Sequence, residues 1–138
     1  MPKSTQLSGK LALIVHADMT AIAGLQNVFN QSGITTIVAR DLPTALLAMT
    51  QHYFDVAVVS SRISEEGDGW PVGGVVRLVF PKAFVVMMAP ETDVLTLKAA
   101  INNGIDEIFD AGKSAEEIAE AIVAYVVRTA KPSGKTVQ

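Results

Sequence analysis

The chain has no cysteine, which excludes a disulfide framework, a thiolate metal site and a cysteine nucleophile together. It also lacks a basic excess: eleven Lys and Arg stand against fourteen Asp and Glu, a formal net charge of −3. Phosphate backbones are bound by a surplus of cations, so nucleic acid is not an expected partner. No apolar run approaches the ~20 residues of a membrane span. Nor does the start read as a secretory signal, because Leu11–Val15 is short and runs straight into His16. Charge of either sign is sparse, 18% of residues against a usual ~25%, so some apolar surface is expected to serve a partner. What remains is a soluble, cytoplasmic domain, and 138 residues can bury ~70% of the surface their unfolded chain exposes.

Both ends are polar and turn-rich. Residues 1–10 read as a flexible arm and 129–138 (TAKPSGKTVQ) as a tail or linker, leaving 11–128 as the domain. Within it two kinds of segment alternate. Leu11–Val15, Ile34–Ala39, Val56–Val59, Phe84–Met88 and Ile105–Phe109 are short β-branched or apolar runs, predicted as strands buried on both faces. Between them lie stretches with a period near 3.6. Ile22, Leu25, Val28 and Phe29 share one helical face, with Asp18 as N-cap and Gly33 as the stop. Asp41–Gln51 carries Pro43 in its first turn, and Thr92–Asn103 ends at Gly104. Ser114-Ala115-Glu116-Glu117 is a capping box opening the last helix, with Ile118, Ile122, Tyr125 and Val126 on its apolar stripe.

One segment resists this pattern. Ser64–Gly74 (SEEGDGWPVGG) is glycine-rich, and only Val75–Phe80 reads as regular. Each helical glycine costs roughly 1 kcal/mol relative to alanine, so the third helix is expected to be short, late or distorted. Five strands alternating with helices nevertheless imply right-handed βαβ crossovers and a parallel sheet covered on both faces, an α/β domain.

Taken together, Leu11–Val127 resembles the receiver domain of two-component response regulators. LALIV with the helix that carries Leu25 is similar to the family's opening strand. ARDLPTALLAM (Ala39–Met49) is similar to its Ala-x-Asp-Gly-x-x-Ala-Leu segment, and Phe54–Val59 to its Pro-Asp-Leu-Val-Leu-Leu strand. Asp68-Gly69 falls where the family has Asp-Gly, and Asp93 to Asp106, with Ala99–Gly104 before the last strand, is similar to its Ala-Leu-x-x-Gly-Ala-Asp-Asp segment. The resemblance implies a flavodoxin-like, doubly wound, five-stranded parallel sheet of order 2-1-3-4-5, with its working residues at the carboxyl ends of the strands.

At those ends the chain departs from the family. The paired acids that hold Mg²⁺ become His16 and Ala17, and the phosphoacceptor aspartate becomes Ser60. The switch Thr/Ser becomes Ala89, the Lys-Pro becomes Ala111-Gly112, and the switch aromatic falls on Ile108. The losses make joint sense. A cluster of acids and one lysine needs metal and phosphoryl group to be electrostatically settled, and removing only some would strand a charge in a cleft. The implied protein is a pseudo-receiver: a signalling module of a phosphorelay that is not phosphorylated on aspartate, is no enzyme, and needs no cofactor.

Three other readings of the same residues carry less weight. Ser60 and His16 should end neighbouring strands and so suggest a nucleophile pair, but VVSSR is no Gly-x-Ser-x-Gly elbow. Asp18, Glu65, Glu66, Asp68 and Asp110 are oxygen donors near one cleft; an N-cap and solvated loop acids are the simpler account, with Asp18 and Asp110 the weak metal candidates. An emptied cleft also suits a small ligand, as in flavodoxin-like binders. The glycines of Gly67–Gly74 follow the third strand rather than the first and lack a Lys-Ser/Thr, so they are turn residues and no phosphate loop.

Partners are expected to be proteins. Trp70, beside Pro71, either packs over a helix start or is an exposed anchor. The last helix is apolar round more than the ~100° stripe that sheet packing needs. Ile122, Val123, Val126 and Val127, with Ile108, are therefore expected on a second buried surface against a partner or a second copy. The resemblance points the same way, to the face of the fourth helix, fifth strand and fifth helix. A homodimer fits this reading.

Overall fold

Strand and helix alternate along the whole domain. The computed structural model describes residues 9–63, 69–90, 93–110 and 112–129. In order the elements are β1 (Leu11–Val15), α1 (Met19–Gln31), β2 (Thr35–Ala39), α2 (Leu42–Gln51), β3 (Val56–Ser60), α3 (Trp70–Val79), β4 (Phe84–Met88), α4 (Val94–Asn102), β5 (Glu107–Phe109) and α5 (Ala115–Thr129). All strand pairs are parallel and the order is β2-β1-β3-β4-β5. This is the doubly wound sheet expected from the sequence. Most of the arm (1–8), most of the tail (130–138), Glu65, Glu66, Asp68 and Ala111 lie outside the described residues, whereas Thr129 closes α5.

Side chains alternate along the central strands and build a core on each face. Leu13 and Val15, Ala57 and Val59, and Val85 and Met87 point to one side, under α2 and α3. Ala12 and Ile14, Val56 and Val58, and Val86 point to the other, under α1 and α5. β1, β3 and β4 are thus covered on both sides. β2 is not: it is an edge strand, and Thr36, Ile37 and Val38 are only half-buried. β5 is shorter than expected and also partly exposed. Ile105 is drawn out of it because its N–H donates to Ala100 O (2.9 Å) and closes the end of α4.

The helix boundaries follow local chemistry. Asp18, Asp41 and Asp93 each accept a backbone N–H in the first turn, from Ala21 (3.1 Å), Thr44 (2.8 Å) and Thr96 (2.9 Å). Ser114 and Glu117 exchange the two bonds of the capping box at 3.1 and 2.9 Å. Gly33 and Gly104 take positive φ at the ends of α1 and α4.

α3 corrects the sequence reading. It begins at Trp70 and runs unbroken through Gly73 and Gly74. The glycines cost helix propensity but permit close packing. A Cβ on Gly73 would lie 2.6 Å from Ile105 Cδ1, and one on Gly74 2.6 Å from Asn103 Oδ1. Packing outweighs propensity here. At the end of α3, Arg77 donates to Gly104 O (2.9 Å), Pro81 O (2.7 Å) and Ala83 O (2.9 Å) and pairs with Asp106.

α5 is the second correction. Ile122 and Val126 belong to the core that α1 and α5 share over the sheet, and Val123 is half-buried against it. Tyr125 stacks on Phe84 with ring centroids 3.8 Å apart. The helix is apolar over more than one stripe because it packs on α1 as well as the sheet, and of the expected interface residues on it only Val127 is exposed.

Candidate functional site

Consecutive strands deliver their next residues to one edge. β1 and β3 pair Val15 with Val59, so His16 and Ser60 emerge side by side. β3 and β4 pair Ser60 with Met88, which brings Ala89 alongside. β5 ends at Phe109 and is followed by Asp110. His16, Ser60, Met88, Ala89, Phe109 and Asp110 therefore share one cleft of about 230 Å³, with Arg62, Pro90, Lys113 and Ile118 completing its wall.

Ser60 is 7% exposed, and its hydroxyl is committed at both ends. It donates to Arg62 O (2.9 Å) and accepts from Arg62 N (3.2 Å), a local turn that holds the chain leaving β3. Gly69 closes over the same point, its N–H donating to Ser61 O (2.8 Å). A Cβ on Gly69 would sit 1.9 Å from Ser60 O, so only glycine fits.

His16 is half-buried, and its Nδ1 accepts from Asp18 N (3.1 Å). That bond places the proton of the neutral ring on Nε2. Burial lowers its pKa below the ordinary 6.5, outweighing the Asp18 carboxylate, which acts in the opposite direction. At neutral pH His16 is therefore a hydrogen-bond donor through Nε2 and has no free lone pair with which to take a proton from Ser60. The two residues that sequence spacing brought together do not form a nucleophile and base.

The weak metal candidates are each used locally. Asp18 caps α1 and does not line the cleft. Asp110 lines it, with one oxygen accepting from Gly112 N (2.9 Å) in the turn before α5. Among the described residues no three His, Asp or Glu converge as a metal site. Trp70 and Ile108 are half-buried against the core under α2 and α3, so Trp70 packs at its helix start rather than standing free. Sequence reasoning missed Arg62, Pro90 and Lys113; Arg62 and Pro90 lie two positions past β3 and β4 and Lys113 four past β5, so reading that far beyond each strand would have found them. A larger cavity of about 530 Å³ at the amino edge is lined by Lys10, Lys82, Asp55, Arg77 and Asp106. Its two acids cap strand ends, Asp55 taking Leu11 N (2.9 Å) and Asp106 taking Val85 N (2.8 Å).

Solved structures similar to this chain include response regulators. The chain has the receiver fold. A two-component response regulator from Clostridium difficile is 22% identical with a TM-score of 0.77, over 89% of this chain and 99% of that one. A CheY-like receiver domain protein from Methanospirillum hungatei JF-1 is 16% identical with a TM-score of 0.77, over 88% and 97%. A Burkholderia pseudomallei response regulator, solved with a phosphorylated aspartic acid, calcium ion and citrate, is 16% identical with a TM-score of 0.71, over 89% and 75%. No family model and no curated protein sequence matches the chain. Among the described residues no helix is long and apolar enough to cross a membrane.

Proposed function

We propose that this chain is a receiver-fold signalling module of a two-component system that is not phosphorylated on aspartate and acts in the cytoplasm through protein–protein contact. The observation that carries the reading is the content of the cleft. Ser60 ends β3 with its hydroxyl locked in a turn, beside a neutral His16 and the methyl of Ala89. Transfer of a phosphoryl group to the protein needs a carboxylate or an activated hydroxyl, with a cation to hold the charge. At the end of β3, where receivers hold the acceptor, no side chain supplies it: the one described carboxylate of the cleft, Asp110, follows β5 and has an oxygen held by Gly112 N. Displaced chemistry on Ser60 is disfavoured because its hydroxyl is held by Arg62 backbone atoms and has no base beside it among the described residues.

Protein contact is supported by α4. Its Val94, Leu95, Leu97 and Ile101 are 72%, 75%, 49% and 76% exposed, and only Ala100 is buried. An apolar helix face left in water marks an interaction surface. The proposed contact surface therefore remains that of α4, β5 and α5, with its apolar weight on α4, and its proposed occupant is a protein partner or a second copy. The test of the module reading is incubation of the full chain with acetyl phosphate and Mg²⁺ followed by intact mass measurement at neutral pH. No phosphoryl adduct is expected, and a stable gain of one phosphoryl group overturns the reading.

A further inference from the structure

With its acids replaced, the cleft at the carboxyl edge has a character of its own. Met88, Ala89, Pro90, Phe109 and Ile118 give it an apolar wall. Its polar groups divide by what they have left to offer. The Ser60 hydroxyl is spent on Arg62 backbone atoms, and His16 Nδ1 on the Asp18 amide, which leaves the His16 Nε2–H as a donor. Asp110 already uses one oxygen on Gly112 N. Among the described residues the sole salt bridge is Arg77–Asp106 at the opposite edge, so the cationic heads of Arg62 and Lys113 are not consumed by a described acid. Among the described side chains of the cleft, uncommitted donors therefore outnumber acceptors, and two cations stand against Asp110.

We propose that this cleft binds a small amphipathic carboxylate: a monocarboxylic acid with a branched or aromatic body, its carboxylate at Arg62, Lys113 and His16 and its body against Phe109, Met88 and Ile118. Size limits the choice. At no more than a water's ~30 Å³ per heavy atom, a cleft of about 230 Å³ takes roughly eight to ten non-hydrogen atoms. Convergent polar groups at one end of an apolar hollow are the usual design of a small-molecule site. Inorganic phosphate fits less well, because its remaining oxygens would lose water against an apolar wall. The proposal rests on the cleft being free of phosphoryl transfer.

The test is a ¹H–¹⁵N NMR titration of the full chain with phenylacetate, with its uncharged analogue phenylacetamide, and with inorganic phosphate with and without Mg²⁺. Phenylacetate is expected to shift the amides of Ser61, Phe109, Gly112 and Lys113 saturably, with a dissociation constant of about 0.1–1 mM for a ligand of this size. Phenylacetamide should bind about tenfold more weakly, since charge-assisted bonds are roughly twice as strong as neutral ones. Arg62→Gln and Lys113→Gln, both on exposed side chains, should each weaken phenylacetate several-fold while leaving the remaining spectrum in place. Equal binding of acid and amide, no saturation by ~10 mM, or shifts confined to the amino-edge cavity overturn the proposal. So does saturation of these amides by phosphate in preference to phenylacetate. The acetyl phosphate experiment reads covalent mass and fails or succeeds separately.

Discussion

Replacing Ser60 with aspartate would restore, alone, the acid that receivers carry at this position, and it tests whether the cleft can hold one. The site is 7% exposed, and the serine hydroxyl both donates to Arg62 O and accepts from Arg62 N. A carboxylate keeps only the accepting bond and brings a charge to a buried strand end in the cleft that Asp110, a like charge, already lines. The control is Ser60→Asn, which has the same shape and can make both bonds; the difference between the two variants isolates charge. A buried ion costs several kcal/mol before compensation, and the rim cations Arg62 and Lys113 return part of that through a medium of effective dielectric ~20. The expected difference is about 1–3 kcal/mol, or roughly 3–10 °C in Tm for a domain of this size. Circular dichroism melts at pH 7.5 and at lower pH, with and without Mg²⁺, provide the assay. Burial raises the introduced carboxyl's pKa, so the penalty is present at neutral pH and fades as pH falls toward the ordinary ~3.9. Equal melting of the two variants at pH 7.5, or selective rescue of the aspartate variant by Mg²⁺, refutes the reasoning.

Three further outcomes are expected. Gly69→Ala places a Cβ 1.9 Å from Ser60 O and 2.8 Å from Val59 Cγ1, and should lower stability in urea by about 2–3 kcal/mol; an unchanged midpoint would show that the loop can retreat. Leu95→Asp with Ile101→Asp alters exposed positions, so Tm should change little while association, read by light scattering or partner pull-down, is lost; intact association would place the contact elsewhere. His16 has a lowered pKa when folded, so the unfolded chain binds its proton first and stability should decline as pH falls through 6.5. His16→Gln should flatten that slope in urea titrations between pH 7.5 and 5.5, and an unchanged slope would assign it to another group.

The architecture was legible because its signals are local and repeated. Strands such as Leu11–Val15 are buried on both faces and read as unbroken apolar runs, while Asp18, Asp41 and the Ser114 box mark helix starts by hydrogen bonds made within four residues. The failures are tertiary. Propensity penalises Gly73 and Gly74, and nothing nearby in sequence announces that Ile105 and Asn103 need their room. An apolar excess on α5 looked like a surface for a partner because α1 and Phe84, which take it up, are distant in sequence. The resemblance names the fourth helix as part of a contact face, but the residues alone do not, because Val94, Leu97 and Ile101 have the same spacing as a core stripe, and pattern does not say which side the sheet is on. At the site, spacing found His16 and Ser60 as neighbours but not the backbone atoms that occupy their polar groups.

The guanidinium of Arg77 has a mechanical consequence. By gripping Pro81 O, Ala83 O, Gly104 O and Asp106 together, it fastens the far rim of β4 and β5 to the tail of α3. Opening there means surrendering several bonds in one event, so amides such as Val85 should exchange slowly and in concert. The sheet is thus clamped at one end, and the cleft lies at the other.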